Sequence, residues 1–461
     1  MLENVLEGKN ALFETGMQTV LRGQENRYRR IVVQNGNVVQ NARSEQNGLS
    51  ANVYKNGVNG FASIAEYTGA AAEQVLKAAT ENAQYLNKYT RNKKAALPDY
   101  RTGWITSKSV ILDIEQKKLV DMCMEIDTYI GKTYPKLSNR MVIYREDTME
   151  KIIYTSDACN GHVVYPRFAL YVVIGMESKE GEPLELTECF GGYGNIKDNP
   201  VPMKEVQEKV ERLYKRIRDK AEGVYAEAGV KTVILDSDVA GMIAHEAVGH
   251  TVEADLVLGG SVAASNLGKQ VASEKISIVD YAHTVGEEMA PLPVFLDDEG
   301  VEAKDAVLVE NGKLTGYMNN RETAGHFGVE PCGNARAREF SDEPLIRMRN
   351  TLVLPGKDKL EDMIASVDDG YYLMSTGNGQ ADLTGEFMFG INMGYEIKNG
   401  KLGRAIFDTT VSGVAFDMLK TCDMVADKIK WSPYGTCGKK QAMAVSMGGP
   451  AIKCQINIGG R

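Results

Sequence analysis

The sequence predicts an α+β protein in two parts. Residues 1–228 form an N-terminal domain of hairpins and helices, and residues 229–461 form a mostly β domain carrying one irregular helix. Three observations predict this. Four Asn-Gly pairs stand between apolar, β-branched runs, and such pairs suit the positive φ of hairpin turns. Long stretches of helical periodicity are confined to the first half. Glycine becomes dense beyond residue 370, among further strand-like runs.

In chain order, Asn35-Gly36 and Asn56-Gly57 sit inside IVVQNGNVVQ and ANVYKNGVNGFASI and predict two hairpins. TGAAAEQVLKAATENAQYL, residues 68–86, has apolar residues at helical spacing behind a threonine that can cap the helix. A second helix is expected over 114–129. RMVIYREDTMEKIIYTSD and HVVYPRFALYVVIGME read as strands. The charged segment 202–228, with Val206, Val210, Leu213, Tyr214 and Ile217 on one face, reads as a long amphipathic helix, solvated or interdomain. Its end sets the boundary at Ala228-Gly229. KTVILD is then a short strand, and Asp236 or Ser237 can cap a helix starting at Asp238. Beyond about residue 290 strands return, with Asn311-Gly312 and Asn399-Gly400 marking two more hairpins.

Composition excludes several classes. The 461 residues carry 43% hydrophobic and 25% charged residues, enough for a sizeable core. A net charge of −9 and a pI near 5.4 argue against a nucleic-acid binder. No run is long and apolar enough for a membrane span, and MLENVLEGKNALFETG lacks the order of a signal peptide. The seven cysteines are scattered, without a C-x-x-C pair, which suits free thiols in a reducing compartment such as the cytoplasm. The 20 methionines lie in apolar stretches and read as core filling.

The chain has five histidines, and two of them flank a glutamate in GMIAHEAVGHTVEAD, residues 241–255. The pattern H-E-x-x-x-H is one residue longer than the H-E-x-x-H of zinc peptidases. On a regular helix His245 and His250 would point about 140° apart and could not share an ion. Gly249 offers a way out, because glycine permits irregular backbone, and a π-bulge brings residues five apart towards one face. The spacing therefore predicts a distorted or prematurely ended helix. Glu246 would stand beside the ion as general base, since zinc with three protein ligands keeps a position for water and acidifies it. The opposing reading makes the two histidines unrelated, one packed and one exposed. A third ligand is needed, and Glu253, Asp255, His283, His326, Cys332, Cys437 and Cys454 are the candidates. Glu253 is nearest in sequence. Glu253 and Asp255 could instead orient a ligand histidine. Cys437, in YGTCGKK, could be exposed on a turn, with Lys439 or Lys440 favouring its thiolate. Cys454, in AIKCQINI, reads as a packed thiol on a strand.

Other motifs read as structural. CFGGYGN (189–195) lacks the lysine and hydroxyl of a phosphate loop and reads as a glycine-rich turn. Asn334 and Arg336 could hold a carboxylate or oxyanion, or tie down a loop. Cys332 reads as a structural thiol.

HEAVGHTVEAD, GYMNNRETAGHFGVEPCGNARA (316–337), GTCGKK, GGP and the closing IGG resemble the TldD/PmbA metallopeptidase family, as do DDEGV with ENGKLTGYM and GLSANVYKNGVNGFAS. The resemblance spans nearly the whole chain, and the intact H-E-x-x-x-H is similar to the TldD-like type. It implies one zinc held by His245, His250 and Cys437, with Glu246 as base. After Cys437 the family pattern G-K-x-G-Q is replaced by GKKQAMAV. The resemblance further implies hydrolysis of short or unfolded peptides, including leader peptides, by a homodimer or a heterodimer with a PmbA-like subunit. The β-rich second half is compatible with a peptide bound as an added strand. Two rival functions remain for such a chain: a zinc amidase or deacylase acting on non-peptide substrates, and a non-catalytic subunit that binds peptides.

Overall fold

The computed structural model describes residues 2–459 except residues 92, 95, 99, 102 and 108–112; Gly460 of the IGG motif lies outside the described residues. Strands β1 (Gln18–Gln34), β2 (Asn37–Lys55), β3 (Val58–Ile64), β4 (Gly103–Thr106), β5 (Asn139–Thr155), β6 (Cys159–Glu177) and β7 (Pro183–Tyr193) form one sheet. Its order is β3-β2-β1-β5-β6-β4, with β7 also on β6. Both expected hairpin turns form, with φ of 49° and 84° at Asn35-Gly36 and 53° and 89° at Asn56-Gly57. The expected turn at CFGGYGN does not. β7 continues through Gly191 and Gly192 to Tyr193, and Gly191 is needed because a side chain there would strike the Phe168 carbonyl of β6.

Three helices cover one face of this sheet. α1 (Gly69–Tyr89) is capped by Thr68, whose hydroxyl accepts from the Ala71 N–H at 3.1 Å. Its Ala72, Val75, Leu76, Ala79 and Ala83 bury against Leu21, Leu49 and Val53. α2 (Gln116–Thr133) and α3 (Met203–Ala221) bury Ile126, Ile130, Val206, Val210, Leu213 and Ile217 against Ile31, Tyr144 and Phe168. α3 is shorter than the 202–228 expected. It ends at Ala221 because the chain turns at Gly223 and the Val224 N–H is taken by the Ala405 carbonyl at 3.0 Å.

The other face of the sheet packs on the second half through buried charge. Asp298 pairs with Arg22 of β1 at 3.0 Å and Lys151 of β5 at 2.7 Å. Asp147 of β5 pairs with Arg167 and Arg338, each at 3.0 Å. These carboxylates are compensated by more than one cation, as burial of charge requires.

Every strand of the second half lies beyond residue 228. β8 (Gly229–Leu235), β9 (Ile278–Tyr281), β10 (Ala306–Glu310), β11 (Lys313–Leu314), β12 (Asn350–Val353), β13 (Asp369–Ala381), β14 (Glu386–Lys398), β15 (Lys401–Ile406), β16 (Thr409–Val414), β17 (Lys430–Cys437), β18 (Met443–Gly449) and β19 (Ile452–Ile458) are its main strands. One sheet has the order β11-β10-β9-β12-β18-β17. The other runs β13-β8-β19-β16-β14-β15, and an additional β13–β14 pairing closes it into a ring. Asn311-Gly312 and Asn399-Gly400 make their hairpins as expected.

The irregular helix lies between these two sheets. It begins as α4 (Ser237–Met242), and Val239, Ala240, Ile243, Ala247 and Val248 are buried in one core with Leu235, Phe389 and Val445. More helix is present than the single one expected. α5 (Ala254–Leu258), α6 (Arg321–Phe327), α7 (Leu360–Ala365) and α8 (Ala415–Lys420) are each one or two turns, too short to show a clear period in sequence.

Candidate metal centre

β8 delivers the chain to the site. Asp236 ends the strand, and its carboxylate accepts the N–H groups of Asp238 and Val239, both at 3.1 Å, so it caps α4. Burial, then the charge of Asp238, pushes this carboxyl up from 3.8 to about 7. α4 passes into a π-helical segment over Ile243–Gly249, where the His250 N–H donates to the carbonyl of His245. A 3-10 turn, His250–Val252, ends the run. The i→i+5 bonding rotates His250 back onto the side of His245, as the five-residue spacing predicted. The reason for Gly249 differs from the one expected. Its φ of −52° and ψ of −51° are ordinary right-handed helix. Glycine is required because a Cβ would overlap the buried Met348 side chain and stand 3.1 Å from the Ala244 carbonyl oxygen.

His245, His250 and Cys437 converge, with one donor atom from each all within 4.8 Å of one another. Cys437 Sγ is 3.3 Å from His250 Nε2. Two imidazoles and a thiolate brought this close are a donor set that would suit zinc. His245 is buried, and neither ring nitrogen has a hydrogen-bond partner among the described residues. A buried imidazole without partners is costly unless something binds it, and a metal ion fits that vacancy in its bonding. Burial opposes ionisation of the Cys437 thiol, yet His245 and His250 outweigh it and bring the thiol down to about 4. Burial likewise opposes charge on His250, but Cys437 and Glu253 raise it to about 10. The thiol and the imidazole thus favour each other's charged form, and a cation bound between them would compete with the proton.

Glu246 lies at the mouth. Its carboxylate oxygens are 4.0 Å from His245 Nε2 and 3.6 Å from His250 Nε2, and 23% of the side chain is exposed. The base expected from the sequence thus stands beside the donors and faces solvent.

The remaining sequence candidates separate by contact. Glu253 is no ligand. Its buried carboxylate takes His250 Nδ1 at 2.9 Å, which fixes the ring with Nε2 towards Cys437. Lys439 does not serve the thiolate as expected: its Nζ lies 3.1 Å from Glu253 and 2.7 Å from Asp255. Cys437 is buried at the end of β17, where an exposed turn was expected, and Arg347 holds its carbonyl at 2.6 Å. Arg347 also donates to the Gln441 carbonyl at 3.1 Å, which fixes the loop after the cysteine. His283 stacks on Phe295, His326 is exposed on α6, and burial raises the Cys332 thiol. Cys454 is packed in β19, as expected. Asn334 and Arg336 are buried and structural: Asn334 donates to Asp280 and to the Arg347 carbonyl, and Arg336 to the carbonyls of Met348 and Ala444. Arg347 and Met348 escaped sequence reasoning, although two arginines in the apolar run PLIRMRN are a cue for buried, hydrogen-bonded charge.

Fold and site together define a protein in which two histidines of a π-distorted helix and a cysteine of a neighbouring strand form a cluster that could hold a metal ion, with a glutamate at its mouth. The profile of the PmbA/TldA metallopeptidase C-terminal domain matches residues 228–460, and that of the PmbA/TldA metallopeptidase domain 1 matches residues 20–83. A metalloprotease of Methanocaldococcus jannaschii is 33% identical, over 97% of this chain and 98% of its own. A zinc metalloprotease TldD homolog of Saccharolobus solfataricus is 30% identical over 75% of this chain and 76% of its own. In fold, TldE from Thermococcus kodakarensis superposes with a TM-score of 0.78 at 17% identity, covering 99% of both chains. The chain belongs to the PmbA/TldD metallopeptidase family.

Proposed function

We propose that this chain is a zinc-dependent peptidase that hydrolyses short or unfolded peptides, leader peptides among them. The observation that carries the reading is the convergence of His245, His250 and Cys437 with the Glu246 carboxylate beside them. Soft thiolate with two imidazoles favours zinc over the harder divalent ions. When bound, zinc supplies Lewis acidity: it acidifies a nearby water and polarises the scissile carbonyl. Glu253 and Lys439 hold the His250 ring, and Arg347 holds the Cys437 backbone, so the donor set stays oriented. Glu246 takes the proton of the attacking water on its carboxylate and passes it to the leaving amine. We propose a dimer, of two copies or with a PmbA-like partner, and a division of the chain at Ala228-Gly229. No helix among the described residues is long and apolar enough to cross a membrane.

The test is Glu246→Gln. The variant keeps every ligand and should bind one zinc per chain with unchanged affinity, yet lose hydrolysis of an unfolded peptide by about 100-fold or more. Wild-type turnover in this variant would remove Glu246 from the chemistry. Cleavage of small amides by the wild type, with none of any peptide, would turn the substrate reading to an amidase.

A further inference from the structure

A cavity of about 240 Å³ opens between the first sheet and the segments beside the metal centre. Gln18, Asn52 and Tyr54 of β1 and β2 form one wall, and Asp255, Glu299 and Glu322 line the other. It adjoins the metal centre through Lys439, two residues beyond Cys437. Lys439 Nζ is 2.7 Å from Asp255 and donates to the carbonyl of Ile346, another wall residue, at 3.2 Å.

The wall has one base against three acids, and that base is engaged elsewhere. Arg321 is buried, donates to the Pro98 carbonyl at 2.8 Å and pairs with Asp157. Asp255 is matched by Lys439, and Glu322, at the rim, by Lys94 at 2.6 Å. Glu299 differs. Among the described residues its carboxylate accepts from the Arg321 backbone N–H at 2.9 Å and the Asn320 side-chain amide at 3.5 Å, while the Arg321 guanidinium acts on it through its charge without pairing. Among the described residues no side-chain cation forms an ion pair with it. Burial raises its carboxyl although the Arg321 N–H and charge oppose this, a cost that a cation entering the cavity would relieve.

We propose that this cavity binds a primary ammonium group of the substrate, either a lysine side chain or a free α-amine next to the cleaved bond, with Glu299 as its acceptor. The placement next to a cleaved bond rests on the peptidase reading; the binding of an ammonium group does not. A cavity of this size takes one side chain, so the site selects for a single residue. A charge-assisted hydrogen bond in a partly desolvated pocket provides the selection.

The experiment measures binding to the zinc-loaded full chain by calorimetry. The probes are acetyl-Ala-Lys-Ala-amide, acetyl-Ala-norleucine-Ala-amide and Ala-Ala-Ala-amide with a free amine. At least one ammonium peptide should bind about tenfold more tightly than the norleucine peptide. Which one does so separates the lysine side chain from the α-amine. Glu299→Gln should erase the preference, and Glu322→Gln at the rim should keep it. Should Glu299→Gln fail to fold, Asn52→Trp, which fills the cavity from β2, must erase it. Equal binding of all three peptides, or a preference that survives in folded Glu299→Gln, overturns the assignment. Preference without cleavage of any peptide upholds the cavity and sinks the peptidase reading, whereas cleavage without preference does the reverse.

Discussion

Substituting Gly249 by alanine sets two effects against each other. In an ordinary helix the change would stabilise by about 1 kcal/mol, because alanine loses less backbone freedom. Gly249 has ordinary helical dihedrals, so that gain applies here. Against it, the new methyl would overlap the Met348 side chain, which is fully buried and has the core at its back. Overpacking of this kind costs about 1–3 kcal/mol. Methionine is pliable, which favours the lower part of that range. The net expectation is a loss of at most about 1 kcal/mol and a fall of no more than a few degrees in Tm. The larger consequence is at the site. Gly249 precedes His250, so relief of the overlap moves the ring away from Cys437 Sγ, now 3.3 Å distant. Zinc affinity, read by competition with a chelator, should fall about tenfold or more. Met348→Ala, made in the Gly249→Ala background, removes the obstacle and should recover zinc affinity while lowering stability further by about 2–5 kcal/mol. A single variant with raised Tm and wild-type zinc affinity would refute the reasoning. So would a double variant showing no coupling between the two positions.

Lys439→Met removes the cation shared by Glu253 and Asp255 and should weaken zinc binding by about 10- to 100-fold with all three ligands in place. Unchanged affinity would mean that Glu253 alone holds His250. Asp236→Asn tests the cap of the site helix through pH. The folded carboxyl titrates near 7 and the unfolded one near 3.8, so between those values the native state holds the extra proton and stability falls as pH rises. Asparagine still accepts the Asp238 and Val239 N–H groups, so the variant should fold and should lack this decline in denaturant titrations from pH 4 to 7. An identical decline in wild type and variant would assign the effect to other groups.

The elements whose causes are local were legible in the sequence. The Asn-Gly turns carry their own dihedral preference, and the periodicity of α1 and α2 reports the one face each buries. The five-residue histidine spacing was enough to predict a distorted or prematurely ended helix, since a regular helix cannot converge the rings, and the distortion takes π form. The role of Gly249 was not legible, because it depends on Met348, a residue that reaches the helix only in the folded core. Nor was the third member of the donor cluster. Cys437 lies 187 residues from His250, and local reasoning placed Glu253 first, the very residue that instead orients the ring. The resemblance, not the spacing, picked out the cysteine. α3 is shorter than its polar pattern, which runs on past Gly223, because the Ala405 carbonyl that redirects the chain is far away in sequence.

The 187-residue span between His250 and Cys437 also bears on how such an enzyme would be kept from harming its own kind. The strand before the histidines, β8, takes β13 as one neighbour and β19 as the other, and the thiol comes in on β17 beside β18. Neither the histidines nor the cysteine can be placed until strands from both ends of the second half have met. A copy still being made, or one that has come apart, has the three donors scattered along a loose chain. Under the proposed function, a chain directed at unfolded polypeptides would thus be inert whenever it is itself one of them.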